Sequence, residues 1–354
     1  MFNYEYPPLG GGTGIACQYL LREFKKYNNI EIDLVTSSVD EYKEEPLAKN
    51  IRVFFLDIGK RSKNPDHQSS LDLMKYFLKS TAWAMKHKDD YDLVHAFGGL
   101  PAGMTAWLLG KPYIVSLRGG EQPGYEPRFG RMLRLLKPIL KLVYSQAKSV
   151  DANSRYLKKL TLRSFPNLKI GIIRNGVDQK LFYPAKKLVK RPVILCTSRF
   201  GERKGVKYLI EAMAEVIKKI PQAELWLVGE GIEKKKLKTG KEVKFLGKVE
   251  HKNLGSIYRQ AKVFVLPSLS ESMSNSLLEA MACGLMVVVT KVGGNPELVN
   301  RQNDILVPEG DSQALTETIV ERLKNKQKRK LSRLHPWEKT AKKYIGIYKQ
   351  LVKS

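Results

Sequence analysis

The chain has 354 residues, of which 43% are hydrophobic, and it carries a formal net charge of +27. This size and apolar content predict a globular protein of two domains and exclude an intrinsically disordered chain. No apolar run approaches the ~20 residues that a membrane-spanning helix needs, so we expect no such helix.

The first half of the chain alternates short β-branched runs with segments of helical periodicity. The predicted strands are residues 30–35, 51–56, 93–97, 113–117, 149–153 and 170–174. The predicted helices are residues 15–26, 71–86, 102–109, 131–145 and 154–163. This alternation indicates a parallel sheet with crossover helices.

The second half repeats the scheme, so we predict two doubly wound α/β domains. Its predicted strands are residues 193–197, 224–228, 243–246, 263–266 and 286–290, and its predicted helices are residues 206–219, 254–260, 276–283 and 313–324. The domain boundaries are predicted as residues 1–176, a proline-containing linker of 177–192, and residues 193–335. Ligands of such domains bind outside the carboxyl ends of the strands, so two facing domains would form an interdomain cleft.

A glycine-rich segment, Pro7-Pro8-Leu9-Gly10-Gly11-Gly12-Thr13-Gly14, precedes the first predicted helix. Glycines allow a ligand to approach the backbone closely, and the free N–H groups of a helix start favour an anion. Formation of a simple turn explains the glycines equally well. The segment is not a Walker phosphate loop, because no Lys-Ser/Thr pair follows it.

Two cations, Arg199 and Lys204, flank a short loop directly after the predicted strand 193–197. Fixed cations at a carboxyl strand end suit a diphosphate whose negative charge grows as a bond to it breaks. The alternative is that both are ordinary surface charges of a lysine-rich protein.

Two carboxylates, Glu271 and Glu279, are separated by seven residues. If a helix begins near Ser274, Glu271 lies in the loop at its mouth and Glu279 projects from its second turn. One ligand could then contact both carboxylates and the helix N-terminus, as a sugar nucleotide would. The alternative is a helix-capping carboxylate and a solvated helix face, although apolar residues flank Glu279.

Together these segments resemble the retaining glycosyltransferases of family four, which have the GT-B fold. Besides the Arg199/Lys204 loop and the glutamate pair, the matching segments are Asn175-Gly176-Val177-Asp178 with Phe182 and Pro184, Leu227-Val228-Gly229-Glu230-Gly231, Phe245-Leu246-Gly247, Phe264-Val265-Leu266-Pro267-Ser268, and Gly293-Gly294 with Glu297. The resemblance covers roughly residues 3 to 350. It implies two Rossmann-like domains facing a cleft, with a C-terminal helix, residues 336–354, that crosses back to the first domain.

The resemblance also implies an activity, namely transfer of a sugar from a nucleoside diphosphate donor with retention of the anomeric configuration. Arg199 and Lys204 would bind the donor diphosphate, and Glu271 would contact the sugar hydroxyls. These three residues are the catalytic candidates. The family usually needs no bound metal, so we expect no metal and no cofactor beyond the sugar-nucleotide substrate.

Further residues are implied to bind the donor. Glu279 would contact the ribose hydroxyls, residues near Gly247 and Val249 would line the base pocket, and Gly11 and Gly12 would approach the phosphates across the cleft. Backbone amides would hold sugar and phosphate oxygens at Met273, Ser274, Asn275, Ser276 and Leu277.

The chain departs from the family pattern at three places. Its first strand before the glycine-rich segment is short, comprising only residues 1–6. Many members have Glu-Gly-Phe-Gly where this chain has Glu271-Ser272-Met273-Ser274, which leaves the sugar open. Many members also have a histidine near a strand end where this chain has Arg118. We expect His95, Arg118 and Glu121 on the acceptor and sugar side of the cleft, with a structural role as the alternative for His95.

A basic amphipathic stretch in the first domain bears on the acceptor. Its cations recur at three- and four-residue steps with apolar residues between them: Arg128, Arg131, Arg134, Lys137 and Lys141. It could lie on an anionic membrane, as could the basic loop of residues 60–63, or it could pack on the core with a solvated basic back. The first interpretation favours a lipid-linked or envelope-glycan acceptor at the cytoplasmic leaflet.

The three scattered cysteines, Cys17, Cys196 and Cys283, lie in apolar contexts, and the N-terminal residues lack a signal-peptide pattern. Both features favour a cytoplasmic protein, peripheral on the inner face of the membrane if it binds lipid. Three alternatives stay open: a soluble-acceptor synthase of the sucrose or glycogen type, a homologue that binds the donor without turnover, and a basic nucleic-acid-binding protein. The last is disfavoured because no nucleic-acid-binding module is recognisable, so no specific nucleic acid is expected.

Overall fold

The computed structural model describes residues 1–60, 68–120, 122–126, 129–187, 189–299, 304–325 and 334–353. The chain divides into two α/β units. Unit 1 comprises Met1–Asn175 together with Trp337–Ser354, and unit 2 comprises Gly176–Pro336. In both units a largely parallel sheet is flanked by helices, as the alternation of strands and helices predicts.

Unit 1 contains two groups of strands. The strands are β1 (Ile32–Ser37), β2 (Lys43–Ala48), β3 (Ile51–Leu56), β4 (Val94–Phe97), β5 (Tyr113–Leu117), β6 (Ser149–Ala152) and β7 (Ile170–Ile172). One group has the order β1-β3-β2 and the other β4-β5-β6-β7. All pairs are parallel except β2 with β3. β1 is buried along its whole length, as expected for a strand covered on both faces.

The first residues of the chain connect these two groups. Phe2 forms parallel bridges to Val35 in β1 and to Ala96 in β4. Its N–H donates to the carbonyl oxygen of His95, and its own carbonyl accepts from the N–H of Phe97, both at 2.9 Å. The short first strand predicted from the sequence therefore occupies the position between β1 and β4.

The helices of unit 1 before the second unit are α1 (Gly12–Phe24), α2 (Ser70–Lys86), α3 (Met104–Leu108), α4 (Gly130–Leu135), α5 (Lys137–Ser145) and α6 (Arg155–Ser164). The single helix predicted over 131–145 is in fact two, divided at Leu136. The cause is Pro138, which lies in the first turn of α5 and has no N–H to continue a preceding helix.

Unit 2 has one six-stranded parallel sheet. Its strands are β8 (Val193–Thr197), β9 (Glu224–Val228), β10 (Val243–Gly247), β11 (Val263–Leu266), β12 (Met286–Thr290) and β13 (Ile305–Val307). Their order is β10-β9-β8-β11-β12-β13. This is the doubly wound order of dinucleotide-binding domains, in which the direction of winding reverses between β8 and β11. The α/β prediction for this half is confirmed.

The helices of unit 2 are α7 (Val206–Lys219), α8 (His251–Tyr258), α9 (Asn275–Ala282), α10 (Asn295–Leu298) and α11 (Ser312–Lys324). The segment interpreted as a linker contributes to this unit, because Val177 and Phe182 are buried in a core cluster with Tyr258 and Leu277. Val177 also forms a bridge to Pro336, next to the boundary between the units.

The last helix, α12 (Trp337–Lys353), belongs to unit 1. Trp337 stacks on Tyr19 of α1 with ring centroids 5.3 Å apart, and Tyr348 packs against Phe24 of α1 at 5.8 Å. The aromatic residues of α12 are therefore core residues, as predicted. In the described part of the chain no helix is both long and apolar enough to cross a membrane.

Candidate active site

The loops after β8 and β11 meet where the strand order of unit 2 reverses. The loop after β8 is anchored by the buried ring of Phe200 and ends in a 3₁₀ turn, Glu202–Lys204. The N–H of Leu269, in the loop after β11, donates to the carbonyl oxygen of Arg203 at 2.8 Å. Gly205 closes the turn with φ of 61°, and a Cβ there would lie 2.1 Å from the carbonyl oxygen of Pro267. The two loops are therefore in backbone contact, which only glycine permits at position 205.

An ion pair joins these two loops. Lys204 Nζ lies 2.5 Å from Glu271 Oε2, and their side chains are 19% and 7% exposed. Arg203 Nη1 donates to the carbonyl oxygen of Ser270 at 3.0 Å and adds a second contact between the loops. The structure thus brings together residues of two different motifs, a lysine predicted to bind phosphate and a glutamate predicted to bind sugar hydroxyls.

The charges of this pair are set by burial and by neighbouring cations. Burial acts to raise the pKa of Glu271, but the charges of Lys204 and Arg203 and the hydrogen bond from Lys204 outweigh it, so this pKa lies below its ordinary value. Burial lowers the pKa of Lys204, as do the charges of Arg203 and Arg199, and Glu271 opposes the shift. Arg199 is half-buried, and its charge contributes to the field at Lys204.

The backbone of Glu271 is held by a glycine turn after β12. The N–H of Gly294 donates to the carbonyl oxygen of Glu271 at 3.2 Å. Gly293 has φ of 57°, and a Cβ on it would lie 1.5 Å from the same carbonyl oxygen. No side chain fits at that position, which explains why Gly293 accompanies the glutamate pair in the sequence.

Helix α9 begins directly after the Glu271 loop. Ser274 is its N-cap, and the Ser274 hydroxyl accepts a hydrogen bond from the Leu277 N–H at 3.2 Å. The Ser274 and Ser276 hydroxyls lie 2.9 Å apart. The helix start near Ser274 is therefore confirmed. Among the backbone amides expected to bind the donor, the Leu277 N–H is already engaged by this cap. The side chain of Met273 is buried in the hydrophobic core of unit 2. Asn275 is half-buried at the first position of the helix.

Glu279 is buried on the inner side of α9 and has two protein partners. Its Oε1 lies 2.8 Å from His251 Nε2, and its Oε2 accepts from the Tyr258 hydroxyl at 3.0 Å. The Tyr258 hydroxyl is also 2.6 Å from Thr197 Oγ1 at the end of β8. Burial acts to lower the pKa of His251, but the hydrogen bond and the charge of Glu279 outweigh it and raise this pKa above its ordinary value.

His251 and Tyr258 are not among the residues predicted from the sequence. His251 opens α8, four residues after the end of β10, and is thus at the carboxyl edge of the sheet. The position of His251 shortly after a predicted strand could have indicated it, because side chains that follow parallel strands converge at one edge of the sheet. Gly247 and Val249 lie in the same connection. Gly247 has φ of 70° and accepts from the Gly229 N–H at 2.8 Å, and Val249 packs against the core cluster.

Two candidate residues of unit 1, His95 and Arg118, are part of a buried polar network. His95 Nδ1 lies 2.6 Å from the Tyr348 hydroxyl, and His95 Nε2 lies 2.7 Å from Ser116 Oγ. Burial, together with the charge of Arg118, lowers the pKa of His95 well below its ordinary value. Both ring nitrogens are thus engaged, an arrangement that favours the structural alternative. The acceptor-side role of His95 stays a prediction.

Arg118 is anchored in the same network. Its Nη1 donates to Asn175 Oδ1 at 2.7 Å, and its Nη2 donates to the Tyr344 hydroxyl at 2.8 Å. Asp151 accepts from Tyr344 and from Ser116, and burial raises the pKa of its carboxyl. Strands β5 and β6 and helix α12 are linked by these contacts.

Gly11 is the N-cap of α1, and Gly12 is its first residue, at the helix start that the sequence predicts to face an anion. A Cβ on Gly11 would meet the carboxylate of Glu5. The remaining candidate, Glu121, lies outside the described residues.

Two family models match the chain. Residues 10–181 match the model described as Glycosyltransferase Family 4. Residues 191–325 match the model described as Glycosyl transferases group 1. The first match lies mainly in unit 1 and the second in unit 2, and together they include all the candidate residues.

Curated relatives agree with these matches. A GDP-mannose-dependent monoacylated alpha-(1-6)-phosphatidylinositol monomannoside mannosyltransferase of Corynebacterium glutamicum is 33% identical over 197 residues, which span 48% of this chain and 52% of that protein. An uncharacterised glycosyltransferase of Methanocaldococcus jannaschii is 26% identical over 391 residues, spanning 99% of this chain and 97% of that protein. The first relative is matched over about half of its length, the second over nearly all of it.

A solved structure supports the fold. Sucrose-phosphate synthase from Thermosynechococcus elongatus has a TM-score of 0.76 to this chain at 22% identity, covering 99% of this chain and 98% of that one. At this level of identity the likeness shows the fold alone, and the fold is that of the GT-B glycosyltransferases. The family matches, the full-length relative and the shared fold lead to one conclusion: the chain belongs to glycosyltransferase family four.

Proposed function

We propose that the protein transfers a sugar from a nucleoside diphosphate donor to an acceptor, with retention of the anomeric configuration. The observation that carries this proposal is the Lys204–Glu271 ion pair, which is buried at the strand-order reversal of unit 2 beside Arg199. Doubly wound domains bind their ligands at this reversal. At this reversal Lys204, the proposed ligand of the diphosphate, contacts Glu271, the proposed ligand of the sugar hydroxyls.

The positive groups around Lys204 suit a leaving diphosphate. Arg199, Arg203 and Lys204 contribute positive charge within one short loop, and the N-terminus of α9 follows Glu271 by four residues. Cations and helix N-termini stabilise phosphate oxygens, most strongly where water is excluded. In this proposal Arg199 and Lys204 neutralise the negative charge of the leaving diphosphate, a task that a metal ion performs in other enzymes, so no metal is assigned a role.

The transfer itself needs no protein nucleophile. The bond between the anomeric carbon and the phosphate oxygen breaks, and a bond to the acceptor oxygen forms on the same face of the sugar. The proton of the acceptor hydroxyl passes to the leaving phosphate. Glu271 holds the sugar hydroxyls in place, and Glu279, oriented by His251 and Tyr258, holds the ribose hydroxyls.

For the acceptor we propose a lipid-linked or envelope glycan at the anionic cytoplasmic leaflet. The net charge of +27 favours binding to an anionic surface. The Corynebacterium relative is named for a phosphatidylinositol mannoside acceptor. On α4 and α5 the cations Arg131, Arg134, Lys137 and Lys141 are exposed. The inner residues Leu133 and Leu140 are buried, so the basic side faces solvent, as both interpretations of this stretch require. Arg128 and most of the 60–63 loop lie outside the described residues.

Substitution of the two cations tests the enzymatic part. Arg199→Ala and Lys204→Ala are each expected to lower turnover of a matched donor by about 10²–10³-fold, because a preorganised charge at the leaving group is lost. Lys207→Ala is the control, since Lys207 is exposed on the outer side of the next helix. Near-normal turnover in both Arg199→Ala and Lys204→Ala would overturn the assignment. Flotation with anionic liposomes at low and high salt tests the membrane part, which fails if no salt-sensitive binding is seen.

A further inference from the structure

Helix α2 exposes an apolar stripe that lies outside the candidate active site. The stripe consists of exposed residues that recur every three or four positions: Leu71, Met74, Leu78, Ala82 and Met85. Leu71, Met74 and Leu78 are 53%, 54% and 59% exposed. At the angular step of an α-helix these five positions fall within an arc of about 80°. In a globular protein such an apolar stripe normally faces the core.

In α2 the opposite side already packs on the core. Tyr76, Ser80 and Ala84 are buried, and the Tyr76 hydroxyl donates to the carbonyl oxygen of Val35 at 2.8 Å. A complete capping box between Ser69 and Asp72 fixes the start of the helix. The rotation of α2 is thus set by its inner face, so the apolar stripe points away from the core.

Lysines follow the stripe along one flank. Lys75, Lys79 and Lys86 occupy the arc within about 60° of its edge. Lys79 and Lys86 are exposed, and Lys75 is half-buried. The single acidic residue of the helix, Asp72, is engaged in the capping box. An apolar stripe with a basic flank is the pattern of helices that lie in the plane of a membrane interface.

Neighbouring helices contact α2. Thr81 of α2 and Thr105 of α3 are joined by a 3.1 Å hydrogen bond between their hydroxyls, and Trp107 of α3 donates to Gln146, the residue after α5, at 2.8 Å. Helices α2, α3 and α5 therefore form one layer. Leu108 on α3 and Leu142 on α5 are 41% and 44% exposed.

We propose that the apolar stripe of α2 inserts into the headgroup region of an anionic lipid bilayer, with its lysine flank in contact with the lipid phosphates. Charge complementarity selects this occupant. A second copy of a chain with net charge +27 would bring like charges together, whereas anionic lipid attracts them. The proposal deepens the lipid-acceptor part of the proposed function and rests on it for its purpose, but lipid binding is measurable without turnover.

The most direct experiment places a fluorescent reporter on the stripe. The three native cysteines are buried, so a Leu78→Cys variant of the full chain can be labelled selectively with an environment-sensitive dye such as NBD. We expect a blue shift and a rise in intensity with phosphatidylglycerol-containing vesicles. The matched control is Leu47→Cys, because Leu47 is 47% exposed on the edge strand β2 of the same unit. An unchanged spectrum at position 78, or equal changes at both positions, overturns the proposal.

Substitutions without a label provide the second test. Leu78→Asp should weaken binding to these vesicles roughly tenfold or more, because a large apolar side chain is lost from the interface. Lys79→Gln and Lys86→Gln should each weaken it roughly fivefold at low salt. Leu47→Asp should have little effect. Equal binding of all variants, or equal binding of the unsubstituted protein to phosphatidylcholine vesicles, contradicts the assignment.

Two controls separate this proposal from the others. Thermal stabilisation by a sugar nucleotide should be the same in Leu78→Asp as in the unsubstituted protein, so failure of lipid binding is distinguishable from failure of the proposed activity. Sedimentation without lipid should show no self-association that Leu78→Asp abolishes. Such a self-association would identify the stripe as a contact between two copies and overturn the lipid assignment.

Discussion

Removal of the Lys204 side chain should lower the free energy of unfolding, because its ion pair with Glu271 is lost. In Lys204→Ala the Glu271 carboxylate, 7% exposed, loses its ion-pair partner. Breaking a buried pair in this way generally costs about 3–5 kcal/mol. Here the Ser272 backbone N–H and the charge of Arg203 still support the carboxylate. We therefore expect a loss of about 2–3 kcal/mol in the free energy of unfolding.

The assay is urea unfolding of Lys204→Ala, Glu271→Gln and the double variant, compared as a double-mutant cycle. The double variant should be more stable than the sum of the single losses predicts, with a coupling of about 1–3 kcal/mol. Lys234→Ala is the matched control, because its pair with Glu230 in the same unit is 36% and 43% exposed. That substitution should cost less than about 1 kcal/mol. Equal losses in Lys204→Ala and Lys234→Ala, or additive effects in the cycle, would refute the reasoning.

Two further predictions concern the support of the glutamates. Gly293→Ala should lower the free energy of unfolding in urea by about 2–5 kcal/mol, because its Cβ would overlap the Glu271 carbonyl oxygen. The control is Gly110→Ala, also at positive φ but with open space around it, which should cost about 1 kcal/mol. Equal costs of the two substitutions would contradict this prediction. His251→Gln should lose more stability at pH 5.5 than at pH 8.5. Glu279 raises the pKa of His251, so the ion pair stabilises the folded state fully below the ordinary pKa of 6.5, and this stabilisation disappears as the pH rises through the raised pKa. A loss of stability that does not depend on pH would count against this pairing.

The sequence predicts the elements of unit 2 best where the apolar runs are continuous. β8, β9, β11 and β12 have the predicted bounds, because each of these strands is a run of mostly apolar residues. β2 was missed because it is an exposed edge strand with charged residues and Pro46, so no core pattern marks it. β13 was missed because it has only three residues.

For the candidate site, the sequence predicts which segments carry chemistry better than which side chains touch. Lys204 and Glu271 were each assigned from position after a strand, but their direct contact spans 67 residues and has no signature in local spacing. His251 was missed for the same reason, since its partner Glu279 is 28 residues away. His95 was predicted to face a ligand, whereas contacts from α12, more than 250 residues later, engage one of its ring nitrogens.

The measurement that tests the central claim most directly is a thermal-shift screen of sugar nucleotides on the unsubstituted protein and on Lys204→Ala. At a concentration 100-fold above its Kd, a matched donor should stabilise the native state by about 2.7 kcal/mol and raise Tm by about 5–10 °C. The shift should be largely lost in Lys204→Ala at the same concentration. If no sugar nucleotide raises Tm, or if the shift is the same in both proteins, the donor site proposed at Lys204 and Glu271 is contradicted.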